Sequence, residues 1–305
     1  MFRNFREIED CVLEQKIVKR IALCGAHDDA ALSAVVDATR RGVITGILIG
    51  DGTRIREMLA RMDEPADRYE IIDQPREKAA ARMAVQLVHD GRADIPMKGS
   101  MPSATYLMPI VDPVNGLMEE GGVLSSITVF YYPDRERLMF LTDPALNIAP
   151  TLDEKVKLIK NTVKLARALG FEQVNIAALS ALEKVSHDIP GSIEAGQLAE
   201  MDWGEGVAVA GPFALDNALD VETARHKGII SGVAGNADVL LAPEICAGNI
   251  LHKSLHYFAH LPSASAMGGS RAPVVFTSRS DSPESKYYSI LIAILQTVTN
   301  EKTLP

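Results

Sequence analysis

Short apolar runs alternate with helical patterns through the first hundred residues. Ile21 to Cys24 precedes Ala30 to Arg41, Ile44 to Ile49 precedes Arg54 to Met62, and Tyr69 to Ile72 precedes Glu77 to His89. Asp94 to Met97 then leads into a further helical stretch. Apolar runs with little internal alternation are strands covered on both faces, and helices between them imply parallel pairing, so a doubly wound α/β domain is expected. The pattern changes after Gly121-Gly122. Ser125 to Tyr132 and Arg137 to Thr142 flank the turn-rich Pro133-Asp134-Arg135-Glu136, which predicts an antiparallel hairpin. Thr151 and Glu154 have capping-box spacing. Leu152, Val156, Ile159, Val163 and Ala166 then draw an apolar stripe that stops at Gly170. Val174 to Leu179, Val207 to Ala210 and Val239 to Ala242 read as strands and Ala247 to His260 as a helix, which implies a second sheet. No repeat, low-complexity tract or linker-like run separates the halves, so two closely joined domains are expected.

Composition narrows the class of partner. The chain has 305 residues, 47% hydrophobic and 23% charged, which suits a folded soluble protein of two domains. A net charge of −9 without a dense Lys/Arg block argues against nucleic acid or an anionic membrane as the main partner and favours small molecules. Cys11, Cys24 and Cys246 are odd in number and widely spaced, fitting neither a disulfide framework nor a zinc pattern, so a reducing compartment follows. The start, Met1-Phe-Arg-Asn-Phe-Arg-Glu, lacks the apolar core of a signal peptide, and no apolar run reaches bilayer length. A cytoplasmic protein is expected.

The densest chemistry lies at residues 271 to 290. The apolar run Pro273 to Phe276 reads as a buried strand, with Ser282 as N-cap and Pro283 as first residue of a helix carrying the apolar pattern of Tyr287 to Val298. Thr277, Ser278, Arg279 and Ser280 then fall between a strand end and the electropositive start of a helix, a place suited to an anion such as phosphate. Gly235, Asp238, Gly248 and Asn249 bracket the strand Val239 to Ala242 and the next helix, where open sheets hold ligands. Gly248-Asn249 there could offer backbone N–H groups, and turn chemistry explains the same residues. Asp216-Asn217 either orients a ligand or closes a turn. His27, next to Asp28 and Asp29 after the first strand, is placed for a cleft or for local capping. His252, His256 and His260 recur every fourth residue. Along one helix they span about 12 Å, too far for all three to meet one ion, so no metal site is assigned.

Thr-Ser-Arg-Ser-Asp-Ser-Pro-Glu-Ser-Lys (277 to 286) resembles a segment of the phosphate acetyltransferase and phosphate butyryltransferase family, closest to the butyryl branch. Further segments resemble it in family order: Pro96-Met97-Lys98-Gly99, Leu141-Thr142-Asp143 with Asn147-Ile148-Ala149-Pro150, Gly211-Pro212 with Leu215-Asp216-Asn217-Ala218, and Val233-Ala234-Gly235 through Ala247-Gly248-Asn249. The resemblance implies two doubly wound α/β domains with an interdomain cleft, like isocitrate and isopropylmalate dehydrogenases. The first would be discontinuous, residues 1–121 and 266–305, and the second would span 122–265. It implies reversible transfer of a short-chain acyl group between coenzyme A and inorganic phosphate, through acyl-CoA and acyl phosphate. Coenzyme A would be a substrate, no cofactor or metal would be needed, and the chain would form a homodimer or higher homo-oligomer.

By the same resemblance Ser278 would hydrogen-bond the reacting group or leaving sulfur and Arg279 would hold phosphate, with Lys98, Gly99, Ser100, Asp216, Asn217, Gly235, Asp238, Gly248, Asn249 and Thr277 binding substrate. Two positions depart from the family pattern. Met108 stands where much of the family has an anion-binding arginine, and Ser285 where the acetyl branch has an aspartate acting as base toward the thiol. Glu284 or Asp281 would have to accept that proton, although Glu284 is equally suited to capping. Met97, Met101 and Met108 would accommodate a butyryl-sized chain. The two departures also fit a noncatalytic binding protein that retains the fold. An oxidoreductase of the related dehydrogenase fold is the second rival, weakened because no Gly-x-Gly-x-x-Gly run follows the first strand.

Overall fold

The computed structural model describes residues 1–303, with side chains described through Thr299. It divides into a terminal unit, Phe5–Gly122 with the segment from Ala264 onward, and a central unit, Met1–Asn4 with Val123–Ser263. Residues 1 to 4 therefore group with the central unit, where the Phe2 N–H donates to Leu169 O at 3.0 Å.

The terminal unit starts with α1 (Phe5–Glu14), β1 (Lys19–Cys24), α2 (Asp29–Arg40), β2 (Ile44–Gly50), α3 (Gly52–Arg61), β3 (Glu70–Asp73), α4 (Glu77–His89), β4 (Ile95–Lys98) and α5 (Ser103–Ile110). The central unit holds β5 (Ser125–Tyr132), β6 (Arg137–Thr142), α6 (Leu152–Ala168), β7 (Val174–Leu179), α7 (Pro190–Ala199), β8 (Val207–Phe213), α8 (Leu215–Leu219), α9 (Val221–His226), β9 (Val239–Leu241) and α10 (Ile245–Tyr257). β10 (Ser263–Gly268) carries the chain back to the terminal unit, whose last element is α11 (Pro283–Thr303).

In the terminal unit four parallel strands lie in the order β3, β2, β1, β4. The chain moves outward from β1 to β3 and then returns to add β4 on the other side of β1. The strand ends of β1 and β4 thus flank a topological switch point, where crossover connections diverge and leave a crevice. The apolar runs are inside as expected, with Ile21, Leu23, Leu48, Ile49, Ile95 and Met97 buried. Asp28 caps α2 by accepting the Ala31 N–H, and Asp51 caps α3 through the Thr53 and Arg54 N–H groups.

The run Pro273 to Phe276 does not form the expected full strand. It lies extended beside β4 with a single bridge between Val275 and Met97, through Lys98 N–H to Val275 O and Val275 N–H to Pro96 O, both 3.0 Å. Pro96 and Pro273 each lack an N–H, so the ladder cannot lengthen toward the start of the run. Ser282 does cap α11, its hydroxyl accepting the Ser285 N–H at 3.1 Å.

In the central unit β5, β6, β9, β7 and β8 lie side by side in that order. β5 and β6 are the expected antiparallel hairpin, while the other pairings are parallel. Its core gathers Phe130, Met139, Leu141, Phe213 and Leu240. The Thr151–Glu154 capping box is present. The buried face of α6 is nevertheless Lys155, Leu158, Ile159, Thr162, Leu165 and Ala166, while Leu152, Val156 and Val163 are half-buried. Polar partners shift the stripe: Lys155 is paired with Glu194 of α7 and the Thr162 hydroxyl donates to Leu158 O, so both can go inside. α10 begins two residues earlier than expected because Glu244 accepts the Cys246 and Ala247 N–H groups. It stops at Tyr257, and His260 lies beyond it at φ 52°, so the three histidines do not share a helix.

Candidate active site

At the switch point of the terminal sheet two glycines let β1 and β4 run out side by side. Gly99 N–H donates to Cys24 O at 2.8 Å and Ser100 N–H to Gly25 O at 2.9 Å. A side chain on Gly99 would strike Gly25 O at 2.3 Å, and Gly25 itself takes φ 68°. Lys98 at the end of β4 is only 3% exposed, and its ammonium makes one long hydrogen bond, 3.4 Å, to Gly99 O. His27 and the α2 cap Asp28 follow β1, and the buried Nδ1 of His27 has no hydrogen-bond partner among the described residues.

The segment after the Val275 bridge folds into a tight turn. Ser278 N–H donates to the Asp281 carboxylate at 2.7 Å, and Asp281 N–H returns to Ser278 O at 3.2 Å. The Ser278 and Ser280 hydroxyls lie 3.0 Å apart. Thr277 is buried beneath this turn, Ser278 is half-buried and Arg279 is exposed. Lys286, in the first turn of α11, points into the turn: it is 2% exposed and its Nζ donates to Ser278 O at 2.6 Å and Thr277 Oγ1 at 3.1 Å.

The electrostatics of this corner are unusual. Burial pushes the Lys98 ammonium below the ordinary lysine value, and repulsion from Lys286 and then Arg279 pushes the same way. Burial also lowers Lys286, against the attraction of Asp281 and Asp28. Three cations thus share the strand ends with two carboxylates, and each carboxylate is already bonded to a backbone N–H. Cys24 beneath them is a poor nucleophile, its thiol raised to about 12 by burial.

Glu284 is held elsewhere. Its carboxylate accepts the Tyr288 hydroxyl at 2.7 Å on the exposed side of α11, whereas Asp281 touches Ser278 directly. Ser285 hydrogen-bonds to the Ser282 hydroxyl as part of the helix start. The three methionines expected to frame an acyl pocket do not converge, because Met97 and Met101 are in the core and Met108 is 67% exposed on α5.

The candidates of the central unit are bound up in local structure. Asn217 is buried and donates to Glu183 at 2.7 Å; Lys227 bridges Glu183 and Asp216. Gly235 donates its N–H to Asn217 O, and its φ of 70° and the close approach of Val221 require a glycine. Asp238 is buried against Arg137 at 2.6 Å and accepts the Asn175 N–H, although burial still raises its pKa. The Gly248 N–H is used within α10 by Glu244 O, and a side chain there would meet Asp143 O at 2.6 Å; the Asn249 amide donates to Pro144 O. Gly248 and Asn249 therefore pack against the loop after β6, where Asp143 gathers N–H groups from Ser126, Ala145 and Leu146 and the Asn147 amide.

The sequence pattern does not mark Lys286 or Asp28 as site residues. The available signal for Lys286 was a cation in the first turn of a helix, where the macrodipole disfavours it.

Comparison with known proteins gives a consistent result. Residues 73–294 match the family described as phosphate acetyl/butaryl transferase. The chain is 39% identical to the phosphate butyryltransferase of Clostridium acetobutylicum over 97% of this chain and 98% of that one. Its fold is similar to a branched-chain phosphotransacylase from Enterococcus faecalis V583, with TM-score 0.81 and 30% identity, covering 91% of this chain and 98% of that one. A 4-hydroxythreonine-4-phosphate dehydrogenase from Klebsiella pneumoniae shares the fold at TM-score 0.52 and 14% identity, covering 92% and 99% of the two chains.

Proposed function

Because the chain belongs to the phosphate acetyl/butyryl transferase family and is an acyltransferase, we propose that it moves a short acyl group between coenzyme A and inorganic phosphate. The observation that carries this reading is the cationic corner of Lys98, Ser278 and Arg279 at the switch point of the terminal sheet. A phosphate oxygen attacks the thioester carbonyl, the C–S bond breaks, and the leaving sulfur takes a proton to become the coenzyme A thiol. Arg279 holds the phosphate, and the Ser278 hydroxyl supports the oxyanion or the departing sulfur. Among the expected bases, Asp281 is the carboxylate beside Ser278 and is the better placed to exchange the thiol proton. The chemistry is addition and elimination at a carbonyl, and the proposed steps are assigned to Arg279, Ser278 and Asp281, with coenzyme A as a substrate and no metal or prosthetic group called on.

Acyl-CoA, inorganic phosphate and acyl phosphate are the proposed ligands, not nucleic acid or membrane. Among the described residues no helix is long and apolar enough to cross a membrane. A cytoplasmic location fits three cysteines that form no disulfide among the described residues. A homo-oligomer fits the exposed Ile250, Tyr257 and Phe258 along and just past α10. The test is thioester formation from acetyl, butyryl and isobutyryl phosphate with coenzyme A. Turnover is expected with at least one, and Ser278→Ala and Arg279→Ala should each lose about 100-fold or more in kcat. Binding without turnover of any chain length would reject the reading.

A further inference from the structure

Two ammonium groups are buried at the switch point, where Met97 bridges Val275 just before the Thr277–Ser278 turn, and among the described residues no carboxylate meets either of them directly. Lys98 and Lys286 are 3% and 2% exposed, the charge of Lys286 disfavours that of Lys98, Asp28 attracts both and Asp281 attracts Lys286, and among the described residues neither lysine forms an ion pair. Their hydrogen bonds run to neutral oxygens: Gly99 O for Lys98, Thr277 Oγ1 and Ser278 O for Lys286. An ammonium has three protons to give, so both retain unused donors, and a buried charge without a counter-charge is costly. Arg279 adds a third positive charge from the exposed side. The two nearby carboxylates hydrogen-bond elsewhere, Asp28 to the Ala31 N–H and Asp281 to the Ser278 N–H, and they offset only part of the charge of three cations, so a positive surplus remains.

We propose that Lys286 pairs with Lys98 as a two-ammonium receptor for the phosphoryl group. The inference rests on the acyl-transfer reading for the identity of the anion. A doubly charged phosphate matches two lysines, whereas a thioester carbonyl needs only one donor. Lys286 also ties the ligand to Ser278, because the same ammonium holds the Ser278 carbonyl and fixes the turn that presents its hydroxyl. When phosphate leaves, repulsion between the lysines remains, so phosphate binding and the order of this turn are coupled.

The experiment is calorimetric titration of inorganic phosphate into the wild-type chain and the Lys286→Met and Lys286→Arg variants, with KM for acyl phosphate and for coenzyme A measured alongside. Lys286→Met should weaken phosphate by about ten- to a hundred-fold and raise KM for acyl phosphate correspondingly, with KM for coenzyme A within about twofold. Lys286→Arg should recover most of the phosphate affinity. Unchanged phosphate affinity in Lys286→Met, or a loss confined to coenzyme A, overturns the proposal. If Lys286→Met does not fold, Lys98→Met titrated in the same way decides, since a one-lysine site would also bind phosphate weakly. The titration needs no turnover. A wild-type chain that binds phosphate without transferring acyl groups would therefore sink the proposed function alone, and turnover with unaltered phosphate binding would sink this inference alone.

Discussion

Lys155 in the central unit and the pair Lys98 and Lys286 in the terminal unit are buried to the same degree, yet they are satisfied in opposite ways. Lys155 faces Glu194, and the same unit pairs Arg137 with Asp238 and Lys227 with Glu183 and Asp216. The terminal strand ends leave a positive surplus among hydroxyls and carbonyls. A buried ion pair adds little net stability, but it leaves nothing for a ligand to complete. The unpaired lysines do, and the difference marks where an anion is to be received.

Breaking the closed pair should give the largest stability effect. Glu194→Gln strands the Lys155 ammonium and is expected to cost about 2 kcal/mol, less than a fully buried pair because Glu194 is partly exposed. Urea denaturation measures it, and phosphate affinity should not change. A parallel fall in phosphate affinity would blur the contrast between the two lysine environments.

The second way to sharpen the contrast is pH. Burial lowers both Lys98 and Lys286 in the folded state. Below their lowered values the two lysines are protonated in folded and unfolded chains alike, and the burial penalty is carried in full. As pH rises through those values toward about 10.5, the unfolded chain holds more protons, so the fold gains stability. In phosphate-free buffer the wild type should therefore gain stability relative to Lys286→Met across that window. A parallel pair of pH curves would mean that Lys286 carries no such penalty.

Much of this was legible in the chain, and the exceptions share a cause. The parallel sheet, the hairpin at Pro133 to Glu136 and the Ser278–Arg279 turn follow from local signals, namely apolar runs, turn residues and a Ser-Pro helix start. Lys286 was not legible, because its burial depends on the turn folding back over α11 and on the loop from β1, and both are tertiary events. The buried stripe of α6 departs from the apolar pattern for a related reason: Lys155 can sit inside only because the distant Glu194 meets it. Helix ends shifted where a side chain outside the apolar pattern supplied the cap, as Glu244 does for α10.

Glu284 shows how adjacency in sequence misleads at a helix start. Successive residues turn by about 100°, so Glu284 and Lys286 project about 200° apart. Lys286 enters the site and Glu284 faces out to Tyr288, whose hydroxyl it holds and whose pKa, raised chiefly by burial, reaches about 12. Asp281 precedes the helix and bonds to the Ser278 N–H. Asp281→Asn should thus lower kcat by about tenfold, as a charge-assisted hydrogen bond and a proton acceptor are lost together. Glu284→Gln should change kcat by less than about twofold, since an amide oxygen still accepts from Tyr288. Steady-state rates of acyl phosphate formation decide between them. A reversed order would move the proton acceptor back to the helix and require its first turn to rotate during the reaction.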